Sequence, residues 1–253
     1  MSITESKIIL GNVEMVQCIL EQVHDKNPRN LRGITPLHWA TYGNHLDVVN
    51  CIINQIEHKN PANDEDYDTP MHIAASKGFL DVLKLIFSQV TDKSPRKLNG
   101  FTPLHEAVKN GHYEVVEFFM DNLEDIQDMS PRDEEDNTPL HVAAMYGHLD
   151  IVKLLISYVQ DITPRGFMGS TNWALNNFRE VVEWMCEVIE NKNPKNSLGQ
   201  TPLHMSAKNG HVDIVRFFVD KDKNSQFVFD QFGKSPMDLA QSNGYNEIVL
   251  ILS

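Results

Sequence analysis

The sequence predicts an all-α chain of stacked helix–turn–helix units, and three recurring signals predict it. The phrase T-P-L-H occurs at Thr35, Thr102, Thr138 and Thr201, with T-P-M-H at Thr69 and S-P-M-D at Ser235. The intervals are 34, 33, 36, 63 and 34 residues, a period that belongs to stacked repeats and not to a single globular core. Thirteen and fourteen residues after each phrase begins, an aliphatic pair follows an acidic residue, as in Asp47-Val48-Val49 and Asp213-Ile214-Val215. Three residues before that acid stands Gly or Asn.

Each element follows from these signals. Thr or Ser is a helix N-cap, and the proline after it suits the first helical turn, where no N–H is needed. The Gly or Asn (Gly11, Asn44, Gly78, Gly111, Gly147, Asn177, Gly210, Gly244) tolerates the left-handed backbone that stops the first helix. The acid (Glu14, Asp47, Asp81, Glu114, Asp150, Glu180, Asp213, Glu247) complements the positive end of the second helix. The aliphatic pair then opens the buried stripe of that helix. The interval of 63 residues hides one degenerate unit, betrayed by Asn177, Glu180 and Val181-Val182. About eight units therefore begin near residues 2, 35, 69, 102, 138, 168, 201 and 235, and 1–253 reads as one domain.

T-P-L-H followed by A-A-x-x-G-H with this period resembles the ankyrin repeat, and the resemblance covers essentially the whole chain. It implies an ankyrin-repeat solenoid with hairpin-like loops, a concave binding face and a protein-binding function. The loops depart from the family: its usual G-A-D-V-N phrase is replaced by KNPRN, KNPAN, KSPRK and KNPKN at Lys26, Lys59, Lys93 and Lys192. Proline there blocks helix continuation and stiffens the loop.

The sixth unit garbles its opening. In GFMGSTNWALNN, Met168 stands at the cap, Gly169 at the proline and Thr171 at the histidine. Trp173 falls where other units carry Ala or Ser, a slot it cannot enter without overpacking. Either the alignment slips by one residue or the first helix is displaced. Neutral divergence and a specialised binding feature both fit.

Composition narrows the function. A net charge of −13, from 35 acidic and 22 basic residues, argues against nucleic acid and for a basic partner. No apolar run reaches the roughly 18 residues of a membrane span, and no secretory signal is visible. Cys18 and Cys51 hold equivalent places in adjacent units, about 10 Å apart by normal helix stacking, too far for a disulfide, which reaches about 7 Å. With Cys186 they read as reduced, buried and intracellular.

The candidate chemistries fall away. His38, His72, His105, His141 and His204 recur once per unit, as a structural residue does, each expected to bond its own threonine and a neighbouring backbone. Asp64-x-Asp66-x-Asp68 and Asp220-x-Asp222-x-Asn224 lack the glycine and terminal glutamate of a calcium loop. No nucleophile, phosphate-loop or metalloprotease motif is present. No enzyme activity, cofactor or metal is expected.

The family resemblance places the residue before the capping threonine, and the two before the turn, on the concave face. Carried onto this chain, it implies a partner surface of Tyr42, Phe101, Met145, Tyr146, Phe167 and Leu175. Acidic positions flank it at Asp66 and Asp68, and at Glu134 and Glu135. Such a surface suits a basic or partly apolar peptide or domain face, with the chain as a monomer. Two alternatives stay open: a cytoplasmic ankyrin portion of a larger channel or scaffold, and a stoichiometric inhibitor or effector.

Overall fold

A computed structural model of the chain describes residues 11–126, 128, 130–158, 178–188 and 193–253. They belong to two compact units, Met1–Glu135 and Asp136–Ser253. The first holds α1 (Val13–Gln22), α2 (Pro36–Tyr42), α3 (Leu46–Ile53), α4 (Pro70–Lys77), α5 (Leu80–Gln89), α6 (Pro103–Lys109) and α7 (Tyr113–Asp121). The second holds α8 (Pro139–Tyr146), α9 (Leu149–Tyr158), α10 (Arg179–Val188), α11 (Pro202–Lys208), α12 (Val212–Lys221), α13 (Pro236–Ser242) and α14 (Asn246–Leu252). Among the described residues there is no strand.

In the N-terminal unit the short helices α2, α4 and α6 form one layer, and the longer α1, α3, α5 and α7 form the other. Val48, Val49, Ile52 and Ile53 of α3 are fully buried, as are Val82, Leu83 and Ile86 of α5. Each such side chain contributes about 1.5–3 kcal/mol of burial, so the aliphatic pairs seen in the sequence are the core of the stack. The C-terminal unit repeats the scheme, with α11 on α13 and α10 on α12 on α14. Of the sixth repeat, α10 keeps Glu180 in its first turn and buries Val181 and Val182. Its garbled opening, with Met168 and Trp173, lies outside the described residues.

The turns adopt the backbone their residues imply. Gly78 has φ +73°, and a Cβ there would stand 2.6 Å from Nδ1 of His112 in the next repeat. That imidazole is anchored by Nε2–H donation to the Ser76 carbonyl at 2.9 Å. In the other unit Gly147 (φ +78°) faces the Phe178 ring in the same way. The turn therefore needs glycine twice over, for its φ and for the ring packed against it.

The phrase histidines form a relay between repeats. In α2 the Thr35 N–H donates to His38 Nδ1 at 3.1 Å, which requires the proton on Nε2. That Nε2–H donates to the Asp68 carbonyl of the following repeat at 3.2 Å. His72 reaches the Phe101 carbonyl at 3.1 Å, and His204 reaches that of Lys234 at 3.1 Å. Burial holds these imidazoles neutral: His38 is lowered to about 4, His72 to about 3, and His204 is lowered as well.

The lysine–proline loops cap neighbouring helices, and the loop at Lys59 does so in both directions. Lys59 donates to the Ile53 carbonyl at the end of α3, and Lys93 to the Phe87 carbonyl of α5. Asn60 Oδ1 accepts the Met71 N–H at 2.9 Å, and Asn27 Oδ1 the Leu37 N–H at 3.0 Å. One short phrase thus satisfies orphan groups of the helix behind and the helix ahead.

The cysteines need one correction. None of the three is in a disulfide, but Cys18 is exposed and Cys51 only half-buried, while Cys186 is buried. The buried stripe of α1 runs through Val16 and Leu20, and Cys18 lies off it.

The relay makes the fold acid-labile. Its histidines have folded pKa values below the unfolded value of about 6.5. Their contribution is therefore complete above that value and is lost as pH falls toward about 4 for His38 and about 3 for His72. Within that window each histidine removes about 1.4 kcal/mol per pH unit. Urea unfolding at pH 7.5, 6 and 5 should show this slope. His72→Ala should cost about 1–3 kcal/mol at pH 7.5, because it removes two buried hydrogen bonds, to Thr69 and to the Phe101 carbonyl, and should flatten the slope.

Candidate binding groove on the N-terminal unit

The layer of short helices and its loops enclose a groove of about 500 Å³. From α2 come Trp39 and Tyr42, preceded by Ile34; from α4 come Ile73 and Lys77, preceded by Asp68; Lys97 enters from the loop before α6. Tyr42 is 57% exposed, and the Lys77 ammonium lies 4.9 Å above its ring. Trp39 Nε1 is buried with no hydrogen-bond partner.

Lys97 organises the charge. Its ammonium lies 3.2 Å from Glu106 Oε1, 3.3 Å from Asp66 Oδ2 and 3.5 Å from Asp68 Oδ1. The Asp68 contact attracts without the alignment of a hydrogen bond, so Oδ1 stays unsatisfied. Burial pushes the Asp68 carboxyl up to about 6; Lys97 opposes this, and neighbouring Asp66 and Glu106 reinforce it. Asp66 moves the other way: burial works against it, but the Asn63 hydrogen bond and Lys97 together hold it below the usual carboxylate range. Lys97 is raised, since its three carboxylates outweigh its burial.

These groups are departures from the repeat. Five hairpins open with a residue whose N–H bonds the carbonyl just before the capping Thr or Ser: Asn30, Asn63, Lys97, Asn196 and Asp230. In the other four an Asn or Asp side chain folds back onto backbone N–H groups of its own loop. Lysine cannot do that, and its side chain crosses to the neighbouring hairpin instead. Glu106 likewise stands where α4 carries Ile73. The sequence reading passed over Lys97, Glu106 and Trp39, although the break in the Asn/Asp position was a visible signal.

The expected surface is gathered only in part. Tyr42 and Asp68 line the groove, and Asp66 joins them through Lys97. Phe101 is half-buried, stacked on His105 (ring centroids 5.1 Å apart, planes at 25°) with Lys109 at 5.7 Å. Glu134 and Glu135 are exposed on the next hairpin, where the Glu134 N–H donates to the Asn99 carbonyl at 3.1 Å. Met145 and Tyr146 end α8 in the other unit, half-buried and exposed respectively. Phe167 and Leu175 lie outside the described residues. The acid run at Asn63 is already partnered: Asp64 pairs with Arg29 at 2.6 Å, and Glu65 accepts from Arg32 Nε at 2.6 Å.

A family model for ankyrin repeats (3 copies) matches residues 7–97, 88–165 and 172–253. The chain belongs to the ankyrin-repeat family. Ankyrin repeats are in general protein–protein interaction modules, and the fold is typically non-catalytic. The crystal structure of the human ASB11 ankyrin repeat domain matches 100% of this chain and 98% of that one, with a TM-score of 0.60 and 21% identity, a likeness of fold. The mitochondrial liver isoform of glutaminase from Rattus norvegicus is 38% identical over 53 residues, which are 21% of this chain and 9% of that enzyme. Its Mus musculus counterpart is 36% identical over 53 residues, again 9% of the enzyme. Among the described residues no helix is long and apolar enough to cross a membrane.

The charge arrangement predicts split titration in this ankyrin groove. Followed by carboxyl carbon chemical shifts, Asp68 should titrate near 6 and Asp66 below the usual range. Lys97→Met should move both upward, because each ionised carboxylate loses its cation.

Proposed function

We propose that this chain is a non-catalytic binding module that takes an extended segment of another protein along the short-helix face of its N-terminal unit. The observation that carries this is the groove itself: aromatic and aliphatic walls of Trp39, Tyr42, Ile34 and Ile73 beside the charged groups of Asp68, Lys77 and Lys97. Such a lining suits a peptide, which brings apolar side chains and both kinds of hydrogen-bonding group. Tyr42 is the anchor, Asp66 and Asp68 set the preference for a basic or partly apolar segment, and Phe101, Glu134 and Glu135 extend the surface within this unit. Met145 and Tyr146 are proposed as contacts of the C-terminal unit.

We read 1–253 as one ankyrin domain of about eight repeats, because the family match at 88–165 runs through the boundary between the two compact units. It works as an intracellular monomer, in keeping with three free thiols. The short glutaminase match, which is 9% of that enzyme, favours a second reading, in which these repeats are the ankyrin portion of a larger protein.

Selection of peptides from a random library on the immobilised chain tests the site. Binders should weaken at least tenfold on Tyr42→Ala, while the helical circular dichroism and the melting temperature stay close to those of the parent. Binders indifferent to Tyr42→Ala would place recognition elsewhere.

A further inference from the structure

We infer that the hairpin opening at Asp230, in the C-terminal unit, carries a second interaction surface. Phe229, Phe232 and the Phe232 carbonyl take an extended apolar segment of a partner protein there. This surface lies on the other compact unit and does not rest on the groove.

The surface continues an interface that the hairpins already share. Tip N–H groups of Asp64, Leu98 and Glu134 donate to the Arg32, Asp66 and Asn99 carbonyls of the preceding hairpin at 3.0, 2.8 and 3.1 Å. Gln231 donates in the same way to the Leu198 carbonyl at 3.0 Å. The Phe232 carbonyl holds the acceptor's place in the next rung, and among the described residues nothing donates to it. A Cβ on Gly100 or Gly199 would meet the backbone of the following hairpin at 2.9 or 3.0 Å, whereas at Gly233 it would meet nothing within 4 Å. The ladder is open at this edge.

The side chains on the edge are apolar where an earlier hairpin uses charge. Arg29 and Arg32 hold the places of Phe229 and Phe232 in the first hairpin, and they cross to Asp64 and Glu65 of the second. Arg96, at the first of these places, crosses to the Arg132 carbonyl. Both places therefore point toward the following hairpin, and adjacent residues receive them, so Phe229 and Phe232 stand side by side. They are 57% and 68% exposed. Phe227, also exposed, precedes Phe229 across an extended Val228 (φ −81°, ψ 138°) and lengthens the strip on the same side. A single exposed phenylalanine is ordinary, but a strip of three is a contact surface.

A further ankyrin repeat is the wrong occupant. Such a repeat is held by a histidine donor behind it, and Asp238 stands in that place. Its carboxylate is engaged by the Ser235 N–H and hydroxyl at 2.8 and 2.7 Å and has no proton to pass on. A repeat also opens its long helix with an acid, as Glu247 does where it meets Arg216 at 3.0 Å. On α14 the place of Arg216 is taken by Leu250, 76% exposed. The edge calls instead for a backbone N–H and apolar side chains without carboxylates. An extended segment supplies them by adding one rung to the ladder.

The test uses the full chain with carbon-13 at its phenylalanine carbonyls and nitrogen-15 in its glycines. Phe-Gly occurs once in the sequence, at Phe232-Gly233, so one carbonyl–nitrogen cross-peak reports the acceptor. The probe is the peptide acetyl-Val-Lys-Val-Lys-Val-amide, which should shift that peak saturably at millimolar concentration. Its analogue with serine for valine, and its form N-methylated throughout, should bind at least several-fold more weakly. Phe229→Arg should weaken the probe at least tenfold with the rest of the amide spectrum in place, as expected of an exposed position. Tyr42→Ala should leave the probe's affinity unchanged, so that this surface and the groove stand or fall separately. Absence of a shift, equal response to either control peptide, or full binding by Phe229→Arg overturns the inference. A cross-peak that moves with chain concentration alone puts a second copy on the edge and overturns it as well.

Discussion

Everything in this molecule hangs on a two-step hydrogen-bond relay: threonine backbone to imidazole, imidazole to the next repeat's carbonyl. A repeat of about 33 residues cannot bury its own apolar stripe, so it must hold its neighbour at a fixed distance and angle. The relay does this with buried, neutral histidines. Each satisfies a cap group in its own repeat and adds a second hydrogen bond to a carbonyl that already closes the next hairpin. Because the carbonyl precedes the next capping threonine, the relay locates the next helix start as well as the next loop. The same carbonyl-bearing residue (Asp68 after α2, Phe101 after α4) also projects toward the short-helix face. Cohesion and display thus come from a single position.

The loops show how a repeated plan leaves room for chemistry. Where Asn30, Asn63, Asn196 or Asp230 folds back on its own hairpin, the loop is closed and self-sufficient. Lys97 gives up that closure and spends its charge on the neighbouring hairpin, drawing Asp66, Asp68 and Glu106 together. The result is a locally acidic, part-buried cluster beside an aromatic wall. At the Asn63 tip Asp64 and Glu65 are balanced by arginines of the preceding loop, in exposed pairs that solvent screens.

The partner surface that the sequence implies is spread over both compact units. Phe101 is engaged with His105 and Lys109, Met145 and Tyr146 belong to the other compact unit, and Phe167 and Leu175 lie outside the described residues. Tyr42 and Asp68 were identified, but as two positions on a list and not as parts of one groove.

The sequence by itself determined the helix starts, the turns and the buried face. Those depend on short-range rules: a threonine followed by proline caps a helix, glycine or asparagine accepts positive φ, and an aliphatic pair after an acid begins a buried stripe. It also determined that the histidines are structural, because recurrence at a fixed interval means one task per repeat. Only the tertiary structure decided which residues face one another across repeats. Asp68 and Glu106 are 38 residues apart in sequence yet meet at one ammonium, and Trp39 and Asp68 share a groove from successive repeats. Such encounters depend on the stacking distance and on side-chain direction, and neither is encoded in local spacing. Cys18 fell on the wrong side of its helix for the same reason: equivalence between repeats places a residue in a helix, but packing decides which face is covered.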